Sequence, residues 1–312
     1  MSRTVWVIGS AVLDTVFSVD HMPRPGSSSL ASAVNLFLGG KGSNQAVAAH
    51  KLGADVRLIE CLGHDEAGEM FLATYRELGM PTDWIRQTND ASTGQANICV
   101  DATGQNQIAV YVGANGHLTA SDVTEAGIQE DDLILCQLEV PNDVIHACGH
   151  AGRLILNPAP PRDIPQVILD HTWALTPNES EVEALTGIIP SDDTSAQVAA
   201  NRLMAHGAEH VVITLGDRGC FYANQQSSQL FHAPKVKAAD TTGAGDVFNG
   251  GLLAGLAHEW EFHDSLRFAI LAASLSVTKP GAMASIPSFA EVMEFAQSHG
   301  EAGPWESVEV AW

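Results

Sequence analysis

The sequence predicts an α/β fold: a doubly wound, mostly parallel sheet with helices on both faces, plus a small β-sheet as a lid. Three observations predict it. Short apolar runs at 5–8, 56–59, 133–138, 154–156 and 211–214 are rich in Val, Ile and Leu and lack strict alternation. Strands buried on both faces read this way. Helical patterns separate these runs, and strand–helix repetition of that kind builds a parallel sheet covered on both sides. Two stretches depart from the rhythm and point to a second, smaller sheet.

The helices follow from their ends. The segment 43–52 follows a glycine cluster, 66–78 ends before Gly79, 178–185 opens on Asn-Glu-Ser-Glu and ends at Gly187, and 196–205 ends before Gly207. The last third is helical at 245–256, 264–277 and 289–298. Segments 95–100 and 107–112 alternate and flank Asp101-Ala-Thr-Gly104, a hairpin turn signal. The stretch 17–38, with Pro23, Pro25, Gly26 and a serine run, is irregular. Together these read as strands lying over the C-terminal strand edges, where open α/β sheets bind ligands. A lid that excludes water is the functional reading, and an ordinary surface hairpin is the alternative. Length alone suits two domains or one large domain with an appendage. The pattern favours a single domain over 1–312, with the lid at about 15–40 and 93–117. The tail, 300–312, shows no clear period and is expected to be poorly ordered.

Composition narrows the partners. The 312 residues carry 15 Lys and Arg against 37 Asp and Glu, a formal charge of −22. Duplex nucleic acid demands a basic footprint and anionic lipid attracts basic segments, so neither is an expected partner. Such acidity also suits a saline habitat. The five cysteines are scattered without C-x-x-C spacing and read as buried, reduced thiols. The N-terminus lacks a long apolar signal region, and no stretch of 18 apolar residues occurs, so a cytoplasmic protein is expected. None of the thirteen histidines sits in a recognisable ligand spacing; His64, His117 and His171 read as surface or core residues.

The strongest motif is Asp240-Thr-Thr-Gly-Ala-Gly-Asp246, continuing Val-Phe-Asn-Gly. Small residues at a loop-to-helix junction let backbone N–H groups face a ligand closely, and the helix N-terminus adds unpaired donors and a positive dipole end. Gly243, Ala244 and Gly245 thus make an anion site suited to phosphate. Asp246 beside it repels phosphate, which suits a carboxylate that takes a proton from an attacking hydroxyl. The second motif is Leu38-Gly-Gly-Lys-Gly-Ser-Asn44. It is not a P-loop, because position 35 is Asn and Lys41 is followed by Gly42. Nor does 243–248 complete a dinucleotide fingerprint. Glycine-rich backbone admits a polyhydroxylated ligand, and Asn44 can donate and accept toward sugar hydroxyls; helix capping by Ser43 or Asn44 is the competing role.

Together the two motifs resemble the signatures of the ribokinase-like, phosphofructokinase-B-type carbohydrate kinases, most of all the ribokinase branch. Further matches run in family order: Gly9-Ser-Ala-Val-Leu-Asp14, Gly113-Ala-Asn115, Leu138-Glu139, Asn157-Pro-Ala-Pro160, Thr176-Pro-Asn-Glu179, Ile213-Thr-Leu-Gly216 and Lys279-Pro-Gly-Ala282. The resemblance spans about 4–290. It implies ATP-dependent phosphorylation of a sugar's primary hydroxyl, with D-ribose favoured and ribose 5-phosphate as product.

The resemblance assigns roles by position. Asp14, Gly40, Lys41, Asn44 and Glu139 would line the sugar pocket, and Asp246 would be the catalytic base. The amides of Gly243, Ala244 and Gly245 would hold charge on the transferring phosphoryl group. Asn178, Thr214, Gly216, Gly219 and Gly245 would meet the nucleotide, although an N-cap role competes at Asn178. Mg²⁺ would bridge the phosphates. A monovalent cation, K⁺, would sit beside the anion hole, held by Asp240 and by carbonyls at Thr242, Ser276, Lys279, Gly281 and Ser285. Pairing of two lids would give a homodimer.

Departures keep other substrates open. Val12 stands where ribokinases commonly carry an Asn, so by resemblance one polar sugar contact is missing or replaced, and Ile270 at the adenine position implies apolar packing. A phosphosugar would need Arg or Lys in the lid, yet 95–117 has none. Deoxyribose, fructose, 2-keto-3-deoxygluconate and adenosine remain alternatives, and a non-catalytic sugar sensor is the reading from another class.

Overall fold

The computed structural model describes residues 3–308. In chain order the strands are β1 (Thr4–Ile8), β2 (Val12–Val19), β3 (Ala31–Gly39), β4 (Asp55–Gly63), β5 (Ile85–Thr88), β6 (Gly94–Asp101), β7 (Asn106–Tyr111), β8 (Leu133–Gln137), β9 (Arg153–Asn157), β10 (Thr172–Leu175), β11 (His210–Thr214), β12 (Cys220–Asn224) and β13 (Ser228–Phe231). The helices are α1 (Lys41–Lys51), α2 (Glu66–Glu77), α3 (Ala120–Thr124), α4 (Asn142–Ala151), α5 (Gln166–Leu169), α6 (Glu179–Thr186), α7 (Asp193–Met204), α8 (Ala244–Ala257), α9 (Phe262–Ser276) and α10 (Phe289–Ser298).

Nine strands form the main sheet in the order β13-β12-β11-β10-β9-β8-β1-β4-β5. Only β12 and β13 run antiparallel to their neighbours. The absence of alternation in the sequence has a direct cause. In β1, Val5 and Val7 enter the core on one face while Trp6 and Ile8 enter the core on the other. Leu133 and Leu135 against Ile134 and Cys136 repeat this division in β8. Helices α1, α8, α9 and α10 cover the first face, and α4 and α7 the second.

The remaining strands form a separate sheet in the order β3-β2-β6-β7. It accounts for both departures from the strand–helix rhythm, although the irregular stretch begins earlier than its proline cluster suggests, at Val12. Its base is pinned. Val12 lies beside Gly39 and Gly94 in register, and Asn115 grips Ala11, accepting from its N–H at 2.9 Å and donating to its carbonyl at 2.8 Å. Gly40, at φ +90°, has no room for a side chain: a Cβ would stand 2.6 Å from the Ser10 carbonyl oxygen.

Some expectations are corrected. The tail is not loose up to its last described residue: Trp305 is only 1% exposed and packs edge-on against Trp260, with 304–307 forming a short 3₁₀ turn. Residues 309–312 of that tail lie outside the described residues. Short strands β5, β10, β12 and β13 and helix α4 were not anticipated. Gly149 and two histidines weaken the helical signal of α4. The five cysteines are unpaired, four buried and Cys99 partly so. Among the described residues no helix is long and apolar enough to cross a membrane.

Candidate active site

The site lies where the parallel strands end. Gln137 closes β8, Asn157 closes β9, Thr214 closes β11, and Thr176 follows β10. Ligands bind in this crevice of open α/β sheets. The N-terminus of α8 faces it. Gly243 takes a left-handed conformation at φ +77° and turns the loop into the helix, so a side chain there is strained. Asp246 sits in the first helical turn and is buried.

Two amides hold the Asp246 carboxylate. Asn44 Nδ2 donates to Oδ2 at 3.0 Å and Gln45 Nε2 donates to Oδ1 at 3.0 Å. Burial pushes the Asp246 carboxyl up; Lys41 and the two amides pull the other way. Lys41 in turn loses solvation, but Asp246, Glu139 and Glu181 outweigh that and raise its pKa. A carboxylate of raised proton affinity beside a helix N-terminus can accept a proton from a hydroxyl held next to a phosphate.

Behind Asp246 runs a chain of buried amides. Gln45 Nε2 also donates to Asn157 Oδ1 at 3.1 Å, and Gln45 Oε1 accepts from Gln137 at 2.6 Å. Asn157 donates to the Thr176 carbonyl at 3.0 Å, Thr176 Oγ1 to Asn249 Oδ1 at 2.6 Å, and Asn249 Nδ2 to the Gly245 carbonyl at 2.8 Å. The strand ends and the start of α8 are thereby one connected unit. Deeper still, Glu60 accepts from Ser43 and Tyr75, each at 2.8 Å, and burial raises its pKa to about 7.

On the other side of Asp246, Glu139 Oε2 accepts the Lys41 N–H at 2.9 Å and the Ser10 hydroxyl. Glu139 therefore holds the first turn of α1, and it lines neither cavity described below. Asp14, on β2, has its pKa raised to about 6 by burial and by Glu139. Asn44 Oδ1 is buried with no hydrogen-bond partner, a spare acceptor suited to a ligand hydroxyl. Val12 is buried at the base of the small sheet.

A cavity of about 810 Å³ opens beyond α8. Thr214, Gly216, Asp217 and Gly219 line one wall, and Phe248, Ile270, Ala273 and Val277 make an apolar one. A smaller cavity, about 170 Å³, holds Lys41, Glu181 and Asp246 and shares Asn178, Thr214, Ala244 and Gly245 with the first. The larger volume falls in the range of small-molecule sites, and its apolar wall with a few polar groups suits a flat heterocycle.

Several candidate residues have a structural duty as well. Ala244 N–H donates to the Thr241 carbonyl at 3.2 Å, so this amide is engaged within the turn. Asn178 Oδ1 caps α6 at the Glu181 N–H, and its side chain also donates to the Glu181 carboxylate at 2.9 Å. The capping role expected as a competitor is thus present, although Asn178 lines both cavities. A Cβ at Gly219 would lie 1.9 Å from the Phe231 carbonyl oxygen. Asp240 Oδ1 accepts the Thr242 N–H and hydroxyl at 2.9 and 2.6 Å, and Oδ2 accepts the Gly281 N–H at 2.9 Å. These bonds lower its pKa and join loops 240–242 and 279–285. The Ser276 carbonyl accepts the Lys279 N–H at 3.0 Å, the Ser285 hydroxyl donates to Ala282, and the Lys279 ammonium pairs with Glu291 at 2.6 Å.

The profile of a family described as pfkB family carbohydrate kinase matches residues 2–288. This chain belongs to that family. The pfkB-family chain is 38% identical over 302 residues to a ribokinase of Haemophilus influenzae, covering 95% of this chain and 99% of that protein. Its fold superposes on a ribokinase from Thermotoga maritima with a TM-score of 0.88 at 36% identity, covering 95% of this chain and 100% of that one. An Arabidopsis thaliana ribokinase complexed with ribose and ATP matches with a TM-score of 0.87 at 28% identity, over 95% of this chain and 99% of that one.

The sequence reading missed Gln45, Glu60, Glu181 and Asn249 in this kinase. Gln45 and Ser43 carried a signal: they continue Asn44 as a polar run in a helix otherwise buried through Ala and Val. Glu60 carried none, since a lone acid just past the apolar run 56–59 looks solvent-exposed until β4 continues to Gly63 and Tyr75 closes over it.

Proposed function

We propose that this chain transfers the γ-phosphoryl group of ATP to the primary hydroxyl of D-ribose, giving ribose 5-phosphate and ADP. The observation that carries it is the buried Asp246 carboxylate, oriented by Asn44 and Gln45 between the sugar-side acids and the start of α8. Likeness to ribokinases over nearly the whole chain supports ribose among the sugars.

In this reading Asp14 and Glu139 accept hydrogen bonds from hydroxyls of the sugar, and Asn44 Oδ1 accepts one more. Lys41 supplies positive charge on the opposite side. Asp246 takes the proton of the primary hydroxyl as its oxygen bonds to the γ-phosphorus; the bond to the β-phosphate oxygen breaks, and ADP leaves. Amides at Gly243 and Gly245, with the α8 dipole, stabilise charge on the equatorial oxygens. The adenine lies against Phe248 and Ile270, and the phosphates run past Thr214 and Asn178. The Glu181 carboxylate in the smaller cavity is a hard-oxygen donor that would hold Mg²⁺ through its hydration shell, and the ion would supply charge neutralisation for the phosphates.

The K⁺ reading fits the chemistry of Asp240. The low pKa of its carboxyl keeps it ionised, and its bonds to the N–H groups of Thr242 and Gly281 tie together the two loops whose carbonyls, with that of Ser276 at the end of α9, would complete the shell. The Lys279 ammonium, held by Glu291, does not compete for that position. A bound cation would add fixed positive charge beside the anion hole. The small sheet acts as a lid, and two lids pair in a homodimer. Phe37, Ile108 and Val110 on the Asp14 face are each about half exposed or more, as are Val34, Leu36 and Tyr111 on the opposite face. A monomer carrying so much apolar surface on a thin sheet would bury it against a second copy.

The test is ATP consumption by the purified chain with ribose, deoxyribose, fructose and adenosine, with Mg²⁺ and with or without K⁺. Turnover on ribose that disappears in Asp246→Asn, with the product phosphorylated at the primary position, is expected. Preferred turnover on another acceptor overturns the substrate. Sugar binding without any turnover overturns the catalytic role of Asp246.

A further inference from the structure

Away from that site, three imidazoles converge. His146 and His150 lie one turn apart on α4, and His171 immediately precedes β10. The Nε2 atoms of His146 and His150 are 3.1 Å apart. One nitrogen from each of the three rings lies within 4.8 Å of the others. The centroids of His150 and His171 stand 4.1 Å apart. His171 is exposed, as a surface residue would be, but the expectation that no histidine has ligand spacing is corrected by the His146–His150 pair on α4. Spacing of four residues places two side chains on one helical face, but only once a helix is known to run through them.

The backbone is shaped for this approach. A Cβ on Gly149 would stand 2.8 Å from the His171 Cβ and 3.0 Å from its carbonyl oxygen. Glycine at that position lets the last turn of α4 close onto His171. Protonated imidazoles at such distances would repel one another, and a neutral pair forms a single N–H···N bond that leaves the third ring unused. A tetrahedral ion with metal–nitrogen bonds of about 2.0–2.1 Å sets its nitrogens roughly 3.3 Å apart. The His146–His150 pair is already within a few tenths of an ångström of that edge.

We propose that His146, His150 and His171 bind one borderline divalent transition-metal ion, of which Zn²⁺ is the type, with a fourth position open to solvent. The donor set is nitrogen only, which selects Zn²⁺, Co²⁺, Ni²⁺ or Cu²⁺ over the oxygen-seeking Mg²⁺ and Ca²⁺. The ion joins the end of α4 to the start of β10. It sits at the N-terminal edge of β10, whereas Thr176 and the crevice lie past that strand's other end. It is therefore a staple between elements and takes no part in phosphoryl transfer.

The test uses the full chain, stripped with a chelator and free of nucleotide, titrated with Co²⁺ and then Zn²⁺. One Co²⁺ per chain with the intense visible absorption of four-coordinate geometry is expected, displaced by Zn²⁺, together with a rise in Tm. His150→Ala and His171→Ala replace exposed side chains, so both variants fold. Each is expected to weaken metal binding by about a hundredfold or more and to abolish the Tm rise, while turnover is unchanged. Equal uptake by wild type and both variants, or no uptake at micromolar metal, overturns the proposal.

Discussion

Gln45 Nε2 stands 3.0 Å from Asp246 Oδ1 and 3.1 Å from Asn157 Oδ1, so one amide group serves the carboxylate and a strand end together. Its oxygen is held by Gln137, which fixes which end of the amide faces Asp246. Gln45→Leu keeps the volume and removes a bond that lowers the Asp246 pKa. The acid limb of the kcat–pH profile is expected to move to higher pH, with kcat reduced. An unmoved limb would mean that Gln45 only packs.

Asp14 gives a second pH prediction with the same direction. Its pKa is about 6, raised by burial and Glu139, so the ionised, doubly accepting form prevails only above that value. kcat/KM for the sugar is expected to rise through about pH 6 and then level. Asp14→Asn removes this step and lowers kcat/KM by roughly 10–100-fold, the worth of one charged hydrogen bond. A profile unchanged by the substitution would place Asp14 outside the sugar pocket.

Two glycines separate folding from catalysis. A Cβ on Gly42 would lie 2.2 Å from the Ser10 nitrogen, whereas a Cβ on Gly245 meets nothing within 4 Å. Gly42→Ala is expected to cost about 1–3 kcal/mol through overpacking, seen as a lower Tm. Gly245→Ala should keep the wild-type Tm and lose on the order of 10–100-fold in kcat/KM, because its methyl enters the phosphate site.

Glu60 links stability to pH. Unfolded, its carboxyl titrates near 4.5; folded, at about 7. Between these values the folded chain holds a proton that the unfolded chain has released, so this residue's contribution falls as pH rises. The loss above pH 7 is on the order of 3 kcal/mol. Glu60→Gln is expected to gain in Tm relative to wild type between about pH 5 and about pH 8. A constant difference would show that Glu60 stays ionised in the fold.

These residues also show how far the sequence could be read. The Asp240–Asp246 string and the Gly39–Asn44 string are local, and local chemistry at helix starts is legible from residue type and spacing. The carbonyls proposed to surround a cation near Asp240 rest on resemblance alone, because a backbone oxygen has no side-chain signature. Gln45 and Glu60 owe their environments to residues 15–201 positions away, which no short-range pattern encodes, whereas Glu181 is half local: its bonds to Asn178 are a capping box, and its proximity to Lys41 and Asp246 is not. Helix α4 was lost to weak helix formers, and the His146–His150 pair was lost with it. The buried Trp305 was missed because one aromatic anchor suffices to fix a segment that has no period.

The pinned base of the small sheet has a mechanical consequence. Val12, Gly39 and Gly94 lie side by side there, and Asn115 clamps the chain one residue before β2. With about 3.3 Å per residue, the eight-residue β2 makes an arm of roughly 26 Å about that fulcrum. A turn of about 10° at Ala11 would sweep the far tip through roughly 4–5 Å, while Asp14, three residues above that pivot, would move by only roughly 2 Å. If the small sheet serves as the proposed lid, leverage of this kind would carry its outer strands much farther than the Asp14 carboxylate.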